Sequence, residues 1–95
     1  MAVQLSPRAQ RELRALKRTD KAALAVIEQA IGDLDGRVAN LDIKPLTGRR
    51  PWMRLRTGDW RILFRPITPD EHPVGGYLVA RIVNRRDLDE AVRKL

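Results

Sequence analysis

The spacing of apolar residues changes character partway along the chain. Ala9, Leu13 and Leu16 recur at helical intervals, with Arg8, Arg11, Glu12 and Arg14 between them. Ser6 before Pro7 predicts an N-cap followed by proline at the first helical position. The basic pair Lys17–Arg18 suits the last turn. Thr19 or Asp20 caps a second predicted helix, whose stripe is Leu24, Ile27, Ile31 and Leu34 and whose terminator is Gly36. So short a connection makes the two an antiparallel helical hairpin. Ahead of them, Ala2–Leu5 alternates partly and predicts an edge strand.

Beyond Gly36 the helical period is lost. Leu41 to Pro51 carries Pro45, Gly48 and Pro51 and reads as a loop. Trp52–Arg56, Trp60–Arg65 and Tyr77–Val83 read as strands, separated by a tight turn and by a longer connection with Pro66, Pro69, Pro73, Gly75 and Gly76. Asp87 caps a short C-terminal helix through Leu95. The expectation is one α+β domain over residues 1–95. An N-terminal strand and an antiparallel helical hairpin pack on one face of an antiparallel β-sheet, and a short C-terminal helix follows.

The turn Thr57-Gly58-Asp59-Trp60 fixes a register. A two-residue loop at Gly58-Asp59 sets Thr57 opposite Trp60, Arg56 opposite Arg61, Arg54 opposite Leu63 and Trp52 opposite Arg65. Leu55 then meets Ile62, and Met53 meets Phe64. One face becomes apolar (Met53, Leu55, Trp60, Ile62, Phe64) and accepts the helical stripes. The other gathers Arg54, Arg56, Arg61 and Arg65. A one-residue slip would set Leu55 against Arg61 and scatter charge into the core. In the last strand, simple alternation puts Leu78, Ala80 and Ile82 on one face and Val79, Arg81 and Val83 on the other.

Charge makes this second face the candidate working surface. The net charge is +7 and the pI about 11. Residues 1–43 hold 7 basic and 6 acidic side chains, whereas residues 44–86 hold 10 and 3. The excess therefore sits in the strand-rich half, which points to a polyanionic partner. Arginine predominates there, and its planar fork suits phosphate. With no cysteine and a single histidine, His72 in a proline-rich loop, neither disulfides nor a metal site are expected. No apolar run is long enough for a membrane span and the N-terminus lacks a signal-peptide layout, so a cytoplasmic location is expected. Asp33, Asp35 and Asp42 show no paired catalytic spacing, and Asp59 reads as a turn residue. Trp52 either stacks on a nucleobase or packs under the C-terminal segment, and Tyr77 reads as a half-buried strand residue.

Three strings together resemble a known family: Lys44-Pro45-Leu46-x-Gly48, then Arg54-Leu55-Arg56-x-Gly58-Asp59-Trp60-Arg61-Ile62, then Asn84-Arg85-Arg86-Asp87. They are similar to the RelE/ParE toxin superfamily, and the order of elements fits nearly the whole chain. The resemblance implies a RelE-like fold and the toxin of a type II toxin–antitoxin system. Its RelE branch is a ribosome-dependent endoribonuclease: in the A site, the messenger's ribose 2′-hydroxyl attacks the adjacent phosphate, with no metal or other cofactor. Its ParE branch poisons DNA gyrase without catalysis. A toxin homologue that chiefly binds its antitoxin is a third expectation.

Carried over by position, Arg54 matches a basic strand residue implicated in proton transfer, Arg61 the arginine on the scissile phosphate, and Arg86 a late arginine of the family's ending. Arg56 and Lys44 are supporting phosphate binders. Arg65, Arg81, Arg85 and Trp52 complete the candidate RNA contacts. The family's pattern is broken at several positions: Asn84 stands where many members have histidine, Leu88 and Asp89 supply no tyrosine, Trp52 replaces a basic residue and Trp60 replaces tyrosine. The implied partners are a cognate antitoxin, in a hetero-oligomer, and messenger RNA on the ribosome, with no membrane.

Overall fold

The computed structural model describes residues 3–36 and 38–95. In chain order they form β1 (Val3–Leu5), α1 (Pro7–Thr19), α2 (Lys21–Asp35), β2 (Ile43–Pro45), β3 (Met53–Thr57), β4 (Trp60–Pro66), β5 (Tyr77–Asn84), a 3₁₀ turn (Arg85–Asp87) and α3 (Leu88–Arg93). Ala2, expected to open the first strand, lies outside the described residues.

The signals at the starts of the first two helices act as read, whereas Asp87 heads α3 with no side-chain capping bond and that helix stops at Arg93. Ser6 Oγ accepts a 3.0 Å hydrogen bond from Ala9 N, and Pro7 follows as the first helical residue. Asp20 is the residue that caps α2, its Oδ1 accepting from Ala23 N at 3.0 Å. Gly36 ends α2 with φ −80°, in the right-handed region, so the left-handed freedom expected of a glycine terminator is not used there.

The five strands lie in the order β1-β5-β4-β3-β2. The sheet is mixed, not purely antiparallel, because β1 runs parallel to β5. Alternation along a strand carries no information about direction, so this was not readable from Val3–Leu5. The stretch expected as a loop contains a strand, β2, which pairs Ile43 with Leu55, Lys44 with Arg54 and Pro45 with Met53. Proline is tolerated there because β2 is the outermost strand. The β3–β4 register is the expected one, from Thr57–Trp60 through Arg56–Arg61 to Met53–Phe64. Gly58 supplies the turn, with φ +58° at its first central position, as a type II′ hairpin requires.

Leu55, Ile62, Phe64, Val79 and Ile82 meet Ala9, Leu16, Ala23, Ile27, Ala30 and Leu34 of the helical hairpin in one buried cluster. The β5 alternation departs from expectation. A bulge against Leu63/Phe64 pairs Leu63 with Arg81 but Phe64 with Val79, so Ala80 is the extra residue. Val79 and Ile82, three apart, both reach the main core, and Tyr77 packs edge-on to Phe64 at 5.3 Å. The opposite face carries a second, smaller cluster: Leu63, Val83 and Ala91, with Leu46, Leu88, Val92 and Leu95 around them. Thus α3 covers part of the face that holds the arginines, where the sequence suggested a continuous basic surface.

Candidate polyanion-binding site

Cross-strand pairing lays the basic residues out in rows. Lys44, Arg54, Leu63 and Arg81 are successive partners across four strands, and Arg56, Arg61 and Val83 form the adjacent row. Leu63 on β4 and Val83 on β5 are the seats of α3. The exposed part of the face is therefore the β2–β3–β4 side, where Lys44, Arg54, Arg56 and Arg61 converge.

Arg61 is anchored on the hairpin turn. Its Nη1 donates to Gly58 O at 2.9 Å and to Trp60 O at 3.0 Å, which leaves its other donors for a ligand. Burial lowers its pKa from the ordinary arginine value, and the nearby charges of Arg56, Arg54 and Arg85 lower it further, against a small opposing effect of Asp59. Such a cluster of like charges attracts an anion. Arg54 is held by Asp42: Nη1 lies 3.1 Å from both Oδ1 and the backbone oxygen. The Arg54 hydrogen bond holds the Asp42 carboxyl below the usual carboxylate range, and the charges of Arg54, Arg56 and Lys44 add to this.

Other candidates are engaged elsewhere. Arg65 makes a two-pronged pair with Glu71, at 2.8 Å on each side, and its guanidinium lies 5.8 Å from the Trp52 ring centre. Trp52 thus packs against Arg65 within the chain, with one ring face taken. Arg81 donates from Nε to Glu12 Oε2 at 3.1 Å, both side chains being largely buried, while Glu12 Oε1 accepts from Ile82 N at 2.7 Å. That contact closes the edge of β5 beyond the reach of β1. Arg85 makes only a loose pair with Asp59, 3.6 Å, with both side chains exposed. Arg86 is exposed but lines a separate hollow of about 400 Å³ with Arg8, Glu12, Trp60, Asn84 and Lys94.

Among the described residues, Lys44, Arg56, Arg61 and Arg86 have no carboxylate at ion-pair distance. Of the three proposed catalytic arginines, the fold brings Arg54 and Arg61 onto one face of β3 and β4, while Arg86 lines the hollow that also takes in Trp60 and Val83. Sequence reasoning missed the three carboxylates that partner this face, Glu12, Asp42 and Glu71. Asp42 was the findable one: a strand at Ile43–Pro45 opposite Met53–Leu55 places it beside Arg54 and Arg56. His72 lies in the β4–β5 connection, where Nδ1 accepts from Val74 N at 3.3 Å. No cluster of histidine and carboxylate groups suited to a metal occurs among the described residues.

The chain superposes on a solved structure, the RelB–RelE antitoxin–toxin complex from Methanococcus jannaschii, with TM-score 0.57 and 17% sequence identity over 93% of this chain and 96% of the other. A search of curated proteins gives no significant match. Residues 3–89 match the family described as the ParE toxin of the type II toxin–antitoxin system, parDE. The protein belongs to that family, within the RelE/ParE toxin superfamily.

Proposed function

We propose that this toxin works by seating a nucleic-acid backbone on Lys44, Arg54, Arg56 and Arg61, and that its target is messenger RNA in the ribosomal A site. The observation that carries the reading is the Arg56–Arg61 pair. These two arginines are direct cross-strand partners on one face, and among the described residues neither has a carboxylate at ion-pair distance. A phosphodiester between them would relieve their repulsion and accept hydrogen bonds from both. In cleavage by 2′-hydroxyl attack, Arg61 and Arg54 would stabilise the charge gathering on the phosphorane oxygens.

Proton transfer is a different matter. Arginine stays protonated and does not act as a base. Asp42, the carboxylate nearest the patch, has its pKa lowered by Arg54 and is a correspondingly poor proton acceptor. The chain would therefore supply electrostatic stabilisation and positioning, and the ribosome or the RNA itself the proton transfers. Neutralisation by a cognate antitoxin, as in the RelB–RelE complex, belongs to the same reading: an acidic or amphipathic partner covering the patch would cancel it.

The second reading is a gyrase poison that performs no catalysis. It is favoured by the ParE family match. Expressing the chain alone and mapping transcript ends by primer extension separates the two. The RNase reading expects new 5′ ends within messages during growth arrest, abolished by Arg61→Ala. Intact messages accompanied by double-strand DNA breaks would establish the second reading instead.

A further inference from the structure

We propose that Asp42 is an internal stand-in for phosphate: its carboxylate occupies the anion position on Arg54, beside Lys44 and Arg56, and an incoming nucleic-acid phosphodiester displaces it to gain Arg54. The proposal deepens the phosphate-binding reading of this face and rests on it. Three observations support it.

First, the two partners differ in freedom. The Arg54 side chain is 15% exposed and set into the sheet between its strand partners Lys44 and Leu63, whereas the Asp42 side chain is 44% exposed. The cation is fixed and the anion is the part able to turn away.

Second, the backbone of Asp42 is tied independently of its carboxylate. Its carbonyl oxygen accepts from Arg56 N at 2.9 Å and from Arg54 Nη1 at 3.1 Å. Rotation of the Asp42 side chain would vacate the position and leave Arg54 still aimed by the carbonyl.

Third, charge explains why an occupant is needed. Lys44 and Arg54 are direct cross-strand partners and Arg56 follows two residues on, so three cations crowd one corner of the sheet. One carboxylate reduces that repulsion in the free protein. It also sets a threshold. A single phosphate diester carries no more charge than the carboxylate it must displace, so exchange at this one position yields little. A ligand that also reaches Arg56 and Arg61 gains contacts Asp42 never made. The arrangement thus selects a polyanionic strand over an isolated diester.

The test is binding of a short fluorescein-labelled oligo(dT), followed by anisotropy across a salt series, to the parent chain, Asp42→Asn, Asp42→Ser, Arg54→Ala, the Arg54→Ala/Asp42→Asn double variant, and Arg56→Ala/Arg61→Ala. Removing one negative charge at contact distance is expected to tighten binding about fivefold in both Asp42 variants. The salt dependence should steepen by roughly 0.7 in logarithmic slope, the value of one more phosphate contact on a single strand. In the Arg54→Ala background the tightening from Asp42→Asn should largely vanish. Unchanged or weaker binding by both Asp42 variants, with Arg56→Ala/Arg61→Ala still losing affinity, overturns the role of Asp42 alone. Parent-like binding by Arg56→Ala/Arg61→Ala removes the phosphate-binding reading, and this proposal with it.

Discussion

Arg56 and Arg61 stand directly opposite one another across the β3–β4 pair, and among the described residues neither has a carboxylate at ion-pair distance. Like charges in that relation destabilise a sheet. Function and stability should therefore move in opposite directions when one is removed. Arg56→Thr keeps strand propensity and deletes the charge. It is expected to raise the unfolding free energy by about 0.5 kcal/mol in low salt, with the gain shrinking as salt screens the pair. The same variant should lose toxicity on expression. Denaturant unfolding at two salt concentrations, alongside a growth assay, checks both signs. A destabilised Arg56→Thr would mean that the pair is held by something other than repulsion awaiting an anion.

The Arg65–Glu71 pair ties the long β4–β5 connection to the end of β4. Hydrogen bonding from Arg65, helped by Thr68 N, lowers the Glu71 pKa from 4.5 to about 2. A depressed carboxyl contributes stability that is fully present above its unfolded value and lost as pH falls through its folded one. The melting temperature should thus drop between about pH 5 and pH 2, and part of that drop should be missing in Glu71→Gln. Both side chains are partly exposed, so the effect should be modest and salt-sensitive. Melts of the two proteins across this range, at low and high salt, decide it. Parallel curves would show that other carboxyls govern acid unfolding.

What the sequence revealed, and what it hid, follows from how local each signal is. Ser6-Pro7, Asp20 and Thr57-Gly58-Asp59-Trp60 each specify a cap or turn within four residues, and each is found as read. The hairpin register then carried Arg54, Arg56 and Arg61 to one face with no further information needed. The misreadings all depend on residues far apart in the chain. The parallel pairing of β1 with β5 joins Val3 to Tyr77, and the bulge at Ala80 is visible only against its partners on β4. The Arg81–Glu12 pair spans 69 positions. The pairing of Asp42 with Arg54 was obscured because Pro45 and Gly48 made a short edge strand look like loop. For the same reason, arginines that count equally by composition divide into those facing solvent and those already neutralised within the fold.

Glu12 does two jobs with its two oxygens, accepting from Arg81 Nε and from Ile82 N. Both groups lie at the edge of β5 that β1 leaves uncovered, and Glu12 itself is largely buried. Glu12→Ala would leave a strand N–H and a mostly buried guanidinium without partners. The expected loss is about 1–3 kcal/mol. Glu12→Gln keeps one acceptor oxygen and should cost clearly less. Chemical denaturation ranks the two, and equal losses would show that the ion pair, not the hydrogen bond to Ile82, dominates. Amide exchange at Ile82 gives the same answer locally, with protection falling in Glu12→Ala.

The α3 segment is the last part of the molecule whose role can be read from packing. Leu63 is fully buried, on the sheet face away from the helical hairpin, and Val83 and Ala91 complete its cluster. Because Leu63 is the direct strand partner of Arg54, the seat of α3 also borders the arginine patch. Leu63→Ala should therefore loosen α3 as well as lower stability, by about 2–5 kcal/mol for a buried leucine. If docking of α3 helps to keep the patch in order, target binding by the folded fraction should fall too, although Leu63 carries no charge. Measuring oligonucleotide affinity well below the melting temperature, together with amide exchange in Leu88–Arg93, separates the two effects. Lost stability with unchanged affinity would mean that β2, β3 and β4 hold the arginines in place without help from α3.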